Sequence, residues 1–309
     1  MTAKDKLKLI KGLSGLTQTQ IAGKLGISFV AFNNIWNGKS KPRTGTLEKI
    51  DLLYKEYTGQ KIIPADMLSA KKQLLIKSSK KHGSIIRRIL NNKDIYDQLL
   101  LTLTYNTNRI EGSTLTEDDT ADILFGNRTL PDHSLTEHLE VKNHQFALKY
   151  LLDWVAANSI IDETIILKLH GILMNGIRSD AGTYRRHGVR ILGAHVPTAN
   201  HIKVPVLIER LLFDINSNNK DIILLVTEIH SRFEQIHPFS DGNGRIGRLL
   251  MNAMLLIKKM PPAVIKQENK RQYYICLQKA QLNRDNTLLQ DFICDAVISW
   301  AKMLDREFI

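Results

Sequence analysis

Twelve consecutive residues, His237-Pro238-Phe239-Ser240-Asp241-Gly242-Asn243-Gly244-Arg245-Ile246-Gly247-Arg248, hold an ordered set of groups suited to phosphate chemistry. Glycines at 242 and 244 leave main-chain N–H groups open at the start of a helix, a ready anion site. Arg245 and Arg248 are three apart, so on a helix both side chains project from nearly one face. Two guanidinium groups beside such a nest suit a polyphosphate better than a lone carboxylate. Asp241 offers a hard oxygen to a divalent cation that bridges phosphates. His237 carries the side chain best matched to taking a proton near neutral pH. No GxxxxGK[ST] run occurs, so this is not a P-loop.

Helices must hold these groups. Apolar residues recur at three- and four-residue steps through Ile85–Leu90, Leu135–Val155, Glu163–Ile177, Val206–Phe213, Ile222–Ile236, Arg245–Ile257 and Leu288–Leu304. One of these delivers His237, and another begins near Asn243. A single stretch reads as strand. Val189-Arg190-Ile191-Leu192-Gly193-Ala194-His195-Val196 is rich in β-branched residues around Gly193 and suggests a small hairpin.

The chain of 309 residues has a net charge of +12, and its location matters more than its size. Residues 1–100 hold 19 basic and 7 acidic side chains, while residues 101–309 hold 24 of each. The excess points the first third toward nucleic acid and leaves the rest to bind anions locally. No apolar run approaches the roughly 18–20 residues that span a bilayer. The amino terminus shows no secretory leader, which points to a cytoplasmic protein. Cys276 and Cys294 stand far apart, fit no zinc pattern, and read as small buried hydrophobes.

The basic third begins with a two-helix pattern. Thr17 and Ser28 are placed to cap short helices, Gly26 supplies the turn, and Ile21, Ala22, Leu25, Phe32, Ile35 and Trp36 face inward. This stretch resembles the lambda-repressor-like (XRE-type) helix–turn–helix family over roughly residues 4–57. The resemblance places Gln18, Phe29, Val30, Asn33 and Asn34 toward base edges and Lys39, Lys41 and Arg43 on phosphates. Duplex DNA is the implied partner, read by a homodimer on paired half-sites. Phe29 and Val30 depart from the polar residues more usual at the start of such a recognition helix.

The central run resembles, without departure, the Fic signature His-Pro-Phe-x-(Asp/Glu)-Gly-Asn-Gly-Arg-x-x-Arg, and the likeness extends over about residues 100–300. It implies AMP transfer from ATP to a Ser, Thr or Tyr hydroxyl of a target protein. His237 would deprotonate that hydroxyl, Asp241 would hold Mg²⁺, and Phe239 would anchor the loop. Gly242, Asn243 and Gly244 would cradle the α- and β-phosphates, with Arg245 on the β- and Arg248 on the γ-phosphate. Retaining Gly244, where the kinase-type branch carries Lys, favours nucleotidyl transfer. Gly182-Thr183-Tyr184-Arg185 and the following hairpin, with Ile191, Leu192 and Gly193, resemble the flap that binds the target's backbone. Tyr274 and Leu277 would flank adenine.

Thr107-Asn108-Arg109-Ile110-Glu111-Gly112 resembles the inhibitory motif of the same family. It implies that Glu111 competes for Arg248 and leaves ATP poorly aligned, a misplacement able to cost about 100-fold. Breaking a buried ion pair costs about 3–5 kcal/mol. Two other readings accompany this one: a transcriptional regulator whose core senses nucleotide without turnover, and removal of AMP with Glu111 positioning water. The expected fold is mainly α: a helix–turn–helix domain over 1–58, a basic helical linker over 59–95, and a Fic-type helical core with a hairpin flap over 96–309. The inhibitory helix falls around 100–112.

Overall fold

The computed structural model describes residues 1–157, 160–191, 196–217 and 221–306. Its helices pack as two clusters of buried side chains. The smaller is built by α1 (Ala3–Ser14), α2 (Gln18–Leu25), α3 (Phe29–Trp36) and α4 (Thr44–Tyr57) around Leu7, Ile10, Ile21, Leu25, Phe32 and Ile50. Thr17 and Gln20 form a reciprocal capping box on α2, Gly26 ends it in the left-handed region, and the Ser28 hydroxyl caps α3. Trp36 is only partly buried against this cluster.

Chain order then gives α5 (Ala65–His82), α6 (Ile85–Asn91), α7 (Lys93–Glu111), α8 (Glu117–Leu124), α9 (Leu135–Ala157), α10 (Glu163–Leu173), α11 (Val204–Ser217), α12 (Ile222–Ile236), α13 (Asn243–Ile257), α14 (Lys270–Asn283) and α15 (Thr287–Arg306). The large core runs through all of these, and α13 is its axis: Ile246 and Leu249 through Leu256 are almost wholly buried. Such a helix, apolar nearly all round, must be surrounded by others. It packs against α7, α9, α10 and α12.

The stretch expected as a basic helical linker is helical over α5 and α6 and is docked on the large core. Leu68, Leu75, Ile85 and Ile89 enter the large core. Lys61 meets Asp291 at 3.0 Å, Lys71 pairs with Asp291 and Asp295, and Lys72 reaches Asp221 at 3.0 Å. Part of the positive excess of residues 1–100 is therefore neutralised by acids far along the chain. The two clusters also touch. Ile275 of α14 packs into the smaller one, and Lys279 donates to the Gly59 carbonyl at 3.2 Å.

Among the described residues there is no strand. Val189, Arg190 and Ile191 are irregular, and the Thr198 hydroxyl donates to the Val189 carbonyl at 2.7 Å. Leu192, Gly193, Ala194 and His195 lie outside the described residues, so the expected hairpin is not seen in the part that is described. Cys276 and Cys294 are buried, and burial pushes both thiols up to about 12.

Candidate active site

The site is the turn from α12 into α13. The chain leaves α12 through His237, a non-glycine residue in the left-handed region at φ 51°. Neighbouring polar groups hold this turn. Asn243 closes the loop with its side chain, accepting from the Phe239 N–H at 2.8 Å and donating to the Phe239 carbonyl at 2.9 Å. That commits its amide, so Asn243 can offer a phosphate only its main-chain N–H. Phe239 is fully buried, as expected of an anchor.

His237 is half-buried and points one nitrogen inward. Its Nδ1 lies 3.2 Å from the Glu234 carbonyl, which can only accept, so Nδ1 carries the hydrogen and Nε2 keeps its lone pair. Burial lowers its affinity for a proton below the ordinary histidine value, opposed by that carbonyl and by Glu111 and Asp241. A neutral ring with a free Nε2 is the form a general base needs.

Gly242 precedes α13 in the left-handed region and provides no side-chain cap, so the first-turn N–H groups of α13 have no capping side chain. Over that turn lies a carboxylate of the protein itself. Glu111, the last residue of α7, accepts from Arg248 Nη2 at 2.5 Å, and Thr107 Oγ1 accepts from Arg248 Nε at 2.7 Å. A Cβ on Gly244 would lie 2.5 Å from Glu111 Oε1, closer than two such atoms can approach. Desolvation opposes charge on both partners. Their mutual attraction outweighs it, holding the Glu111 carboxyl below the usual range and the Arg248 guanidinium above its own. The Arg248 side chain is 6 % exposed but that of Glu111 is 29 %, so the pair is open to water on its acidic side. Its opening therefore costs less than that of a fully buried pair.

Arg245 is more enclosed, at 2 % exposure, and Nη1 donates to Glu140 of α9 at 2.7 Å. Its Nε is buried and has no hydrogen-bond partner. Asp241 is exposed. One oxygen accepts from the Gly242 N–H at 2.6 Å and lies 3.8 Å from Arg245 Nη2. Among the described residues no group of three or more His, Cys, Asp or Glu is arranged to hold a metal by itself. A single carboxylate beside a phosphate site fits Mg²⁺, which relies on phosphates and water for its remaining ligands.

On α14, Leu277 is buried and Tyr274 exposed, and Tyr274 lies near enough to Arg248 to act on its charge. Tyr273 belongs to the core. Its hydroxyl meets His230 Nε2 at 2.5 Å, and His230 Nδ1 meets the Gly247 carbonyl at 3.2 Å. Gln281 spends its amide on the Ser231 carbonyl at 3.1 Å.

Four residues behind the site escape the motif reading. Glu140 pairs with Arg245. His170 reaches the Asp241 carbonyl at 3.1 Å. Buried Arg185 donates to the carbonyls of His237 at 2.6 Å and Ile236 at 3.3 Å, clamping the loop from its main chain. Glu234 is buried against Gly247 with Oε1 unpartnered, and burial pushes its carboxyl up to about 8. Arg185 alone had a sequence signal, beside Gly182 and Tyr184.

The residues expected at DNA lie on the smaller bundle. Phe29 and Val30 are 47 % and 70 % exposed at the start of α3; Gln18, Asn33 and Asn34 are half-buried; Lys39, Lys41 and Arg43 are exposed. The Asn33 side chain accepts from Asn37 Nδ2 at 2.8 Å.

Residues 160–255, which include α10, α12 and most of α13, match the Fic/DOC family. The chain carries a Fic/DOC domain. It is 31 % identical over 202 residues to the protein adenylyltransferase Fic of Drosophila mojavensis, covering 64 % of this chain and 39 % of that protein. The Drosophila ananassae counterpart is 32 % identical over 179 residues, covering 57 % and 36 %. The chain thus spans about two fifths of the length of the curated relatives it matches. Among solved structures, a Fic family protein from Desulfovibrio desulfuricans superposes with a TM-score of 0.66 at 25 % identity, over 80 % of this chain and 76 % of that one. Fic-1 from C. elegans shares the fold with a TM-score of 0.69 at 20 % identity, over 94 % and 85 %. The turn that holds His237, Asp241, Arg245 and Arg248 lies within the matched residues. No described helix is long and apolar enough to cross a membrane.

Proposed function

We propose that the protein is an adenylyltransferase that moves AMP from ATP to a Ser, Thr or Tyr hydroxyl of a target protein and is restrained by Glu111. The observation that carries this is the pairing, on one turn, of a neutral His237 with a free Nε2 and two arginines over an uncapped helix start. The likeness to proteins named protein adenylyltransferase supports it.

In this reading the target oxygen attacks the α-phosphorus while its proton passes to His237 Nε2. The bond from that phosphorus to the bridging oxygen of the β-phosphate breaks, and pyrophosphate leaves. First-turn N–H groups of α13 at Asn243 and Gly244 take the phosphate oxygens, Arg245 holds the β-phosphate, and Arg248 holds the γ-phosphate. Mg²⁺ at Asp241 would offset negative charge on the phosphates. Tyr274 and Leu277 line the base, and the segment through Ile191 meets the target.

Glu111 restrains the reaction as a competing anion. Its carboxylate covers Gly244 and engages Arg248, as a γ-phosphate would. Glu111→Gly should raise labelling of protein by α-labelled ATP and Mg²⁺, and adding His237→Ala should abolish it. Nucleotide binding without label in any variant would favour a nucleotide sensor. Loss of AMP from a pre-labelled target, dependent on Glu111, would favour the reverse reaction.

The smaller bundle is proposed to bind duplex DNA in the cytoplasm as a dimer, with Lys39, Lys41 and Arg43 on phosphates. Neutralising about six phosphates gives a slope of about −5 in log affinity against log salt. Binding without that slope, or no binding, overturns this part.

A further inference from the structure

His170 is a fully buried residue of α10, and its ring joins three parts of the site. Nδ1 accepts from the Gly182 N–H at 2.9 Å, and Nε2 donates to the Asp241 carbonyl at 3.1 Å. An amide N–H only donates and a carbonyl only accepts, so the two bonds together fix one tautomer, protonated on Nε2. The ring lies parallel to Phe239, centroids 3.7 Å apart and planes within 5°. Gly182, at φ +79°, is pressed on the same helix: a Cβ there would sit 3.4 Å from Gly171 Cα.

The segment around Gly182 also grips the catalytic turn on either side. Asp180 accepts from the Ser240 hydroxyl at 2.6 Å, and the Arg185 N–H donates to the Pro238 carbonyl at 3.0 Å. One residue beyond Ser240, His170 reaches Asp241, the one carboxylate of the turn and an exposed one.

We propose that His170 is a positioning residue for Asp241, fixing its main chain so that the carboxylate is held at the metal and phosphate position, and tying it to the Gly182 turn that opens the target-binding segment. This rests on the AMP-transfer reading, which gives Asp241 its metal.

Two amide substitutions separate the bonds. In His170→Gln the side-chain nitrogen falls near the place of Nε2 and can keep the Asp241 bond. In His170→Asn the side-chain oxygen falls near the place of Nδ1 and keeps only Gly182. Both are made in Glu111→Gly protein. His170→Asn should raise the Mg²⁺ concentration for half-maximal labelling about tenfold, the scale of a lost outer partner of a metal ligand. It should weaken Mn²⁺ binding, read by electron paramagnetic resonance with a non-hydrolysable ATP analogue, by the same factor. His170→Gln should stay within about twofold on both measures. Equal shifts in the two variants, or none, overturn the proposal, because a purely structural histidine would lose one bond in each.

If either variant fails to fold, ¹⁵N-histidine spectra of the Glu111→Gly protein decide. The His170 ring, assigned through its proximity to the Gly182 amide, must carry its hydrogen on Nε2 and shift when Mg²⁺ joins the analogue. An unresponsive ring overturns the inference. Absent labelling alongside normal Mn²⁺ shifts would instead remove the AMP-transfer reading and leave the His170–Asp241 link standing.

Discussion

Arg245 and Arg248 stand within one turn of each other on α13, and each meets a carboxylate from another helix. The two pairs are built differently. Glu140 lies inside α9, a helix of 23 residues, so its side chain can swing from Arg245 but its backbone cannot fray. Glu111 ends α7, beside Gly112 at φ +115°, and can leave by swinging its side chain or fraying one turn. Arg248 has partners on Nε and Nη2, whereas Arg245 keeps a buried Nε unpaired. Under the AMP-transfer proposal the same kind of contact would orient one arginine and restrain the other.

The sharpest break in that contrast comes from Glu140. In Glu111→Gly protein, Glu140→Ala should lower labelling about 100-fold, the cost of misplacing a substrate-holding group. Were it instead to activate the unaltered chain as Glu111→Gly does, both acids would be brakes and the distinction would vanish. A smaller effect is expected at Thr107. Thr107→Val removes the oxygen that accepts from Arg248 Nε but keeps the side chain's shape, and a hydrogen bond to a charged group is worth about 1.5–3 kcal/mol. Labelling by the otherwise unaltered chain should rise about tenfold, short of the Glu111→Gly increase. A fall would mean that Thr107 positions Arg248 for ATP.

The smallest effect concerns stability and pH, where the two acids near Arg248 have opposite signs. Glu111 is held below its ordinary 4.5, so its contribution is present above that value and fades as pH falls through the lower folded value. Glu234 is pushed up to about 8, so the folded chain keeps a proton that the unfolded chain has lost. Its contribution is complete below 4.5 and declines as pH rises through about 8. Glu234→Gln should therefore gain a few degrees of melting temperature on the wild type between about pH 5 and 8. A constant difference across that range would mean that Glu234 is ionised in the folded protein.

The turn between α12 and α13 was legible because its residues are contiguous and glycines mark the start of α13. The helices α6, α9 to α13 and α15 were legible from periodicity, and α2 and α3 from their caps at Thr17 and Ser28. Glu140, His170 and the Arg185 clamp were not, because they act through partners 105, 71 and 52 positions away. Asn243 shows a subtler limit: its place in the run gave no sign that its side-chain amide closes the loop and leaves only its main-chain N–H for a phosphate. The docking of the basic helical stretch over 59–95 onto the large core was hidden for a related reason. Net charge locates lysines along a chain but not the aspartates that fold back to meet them.

The missing side chain at Gly244 has a consequence for how this scaffold can diverge. Any residue larger than glycine there would displace Glu111. If Glu111 restrains the site as proposed, a lysine at 244 would move that carboxylate in the same substitution. A change at this one position would then alter the phosphate site and its restraint together.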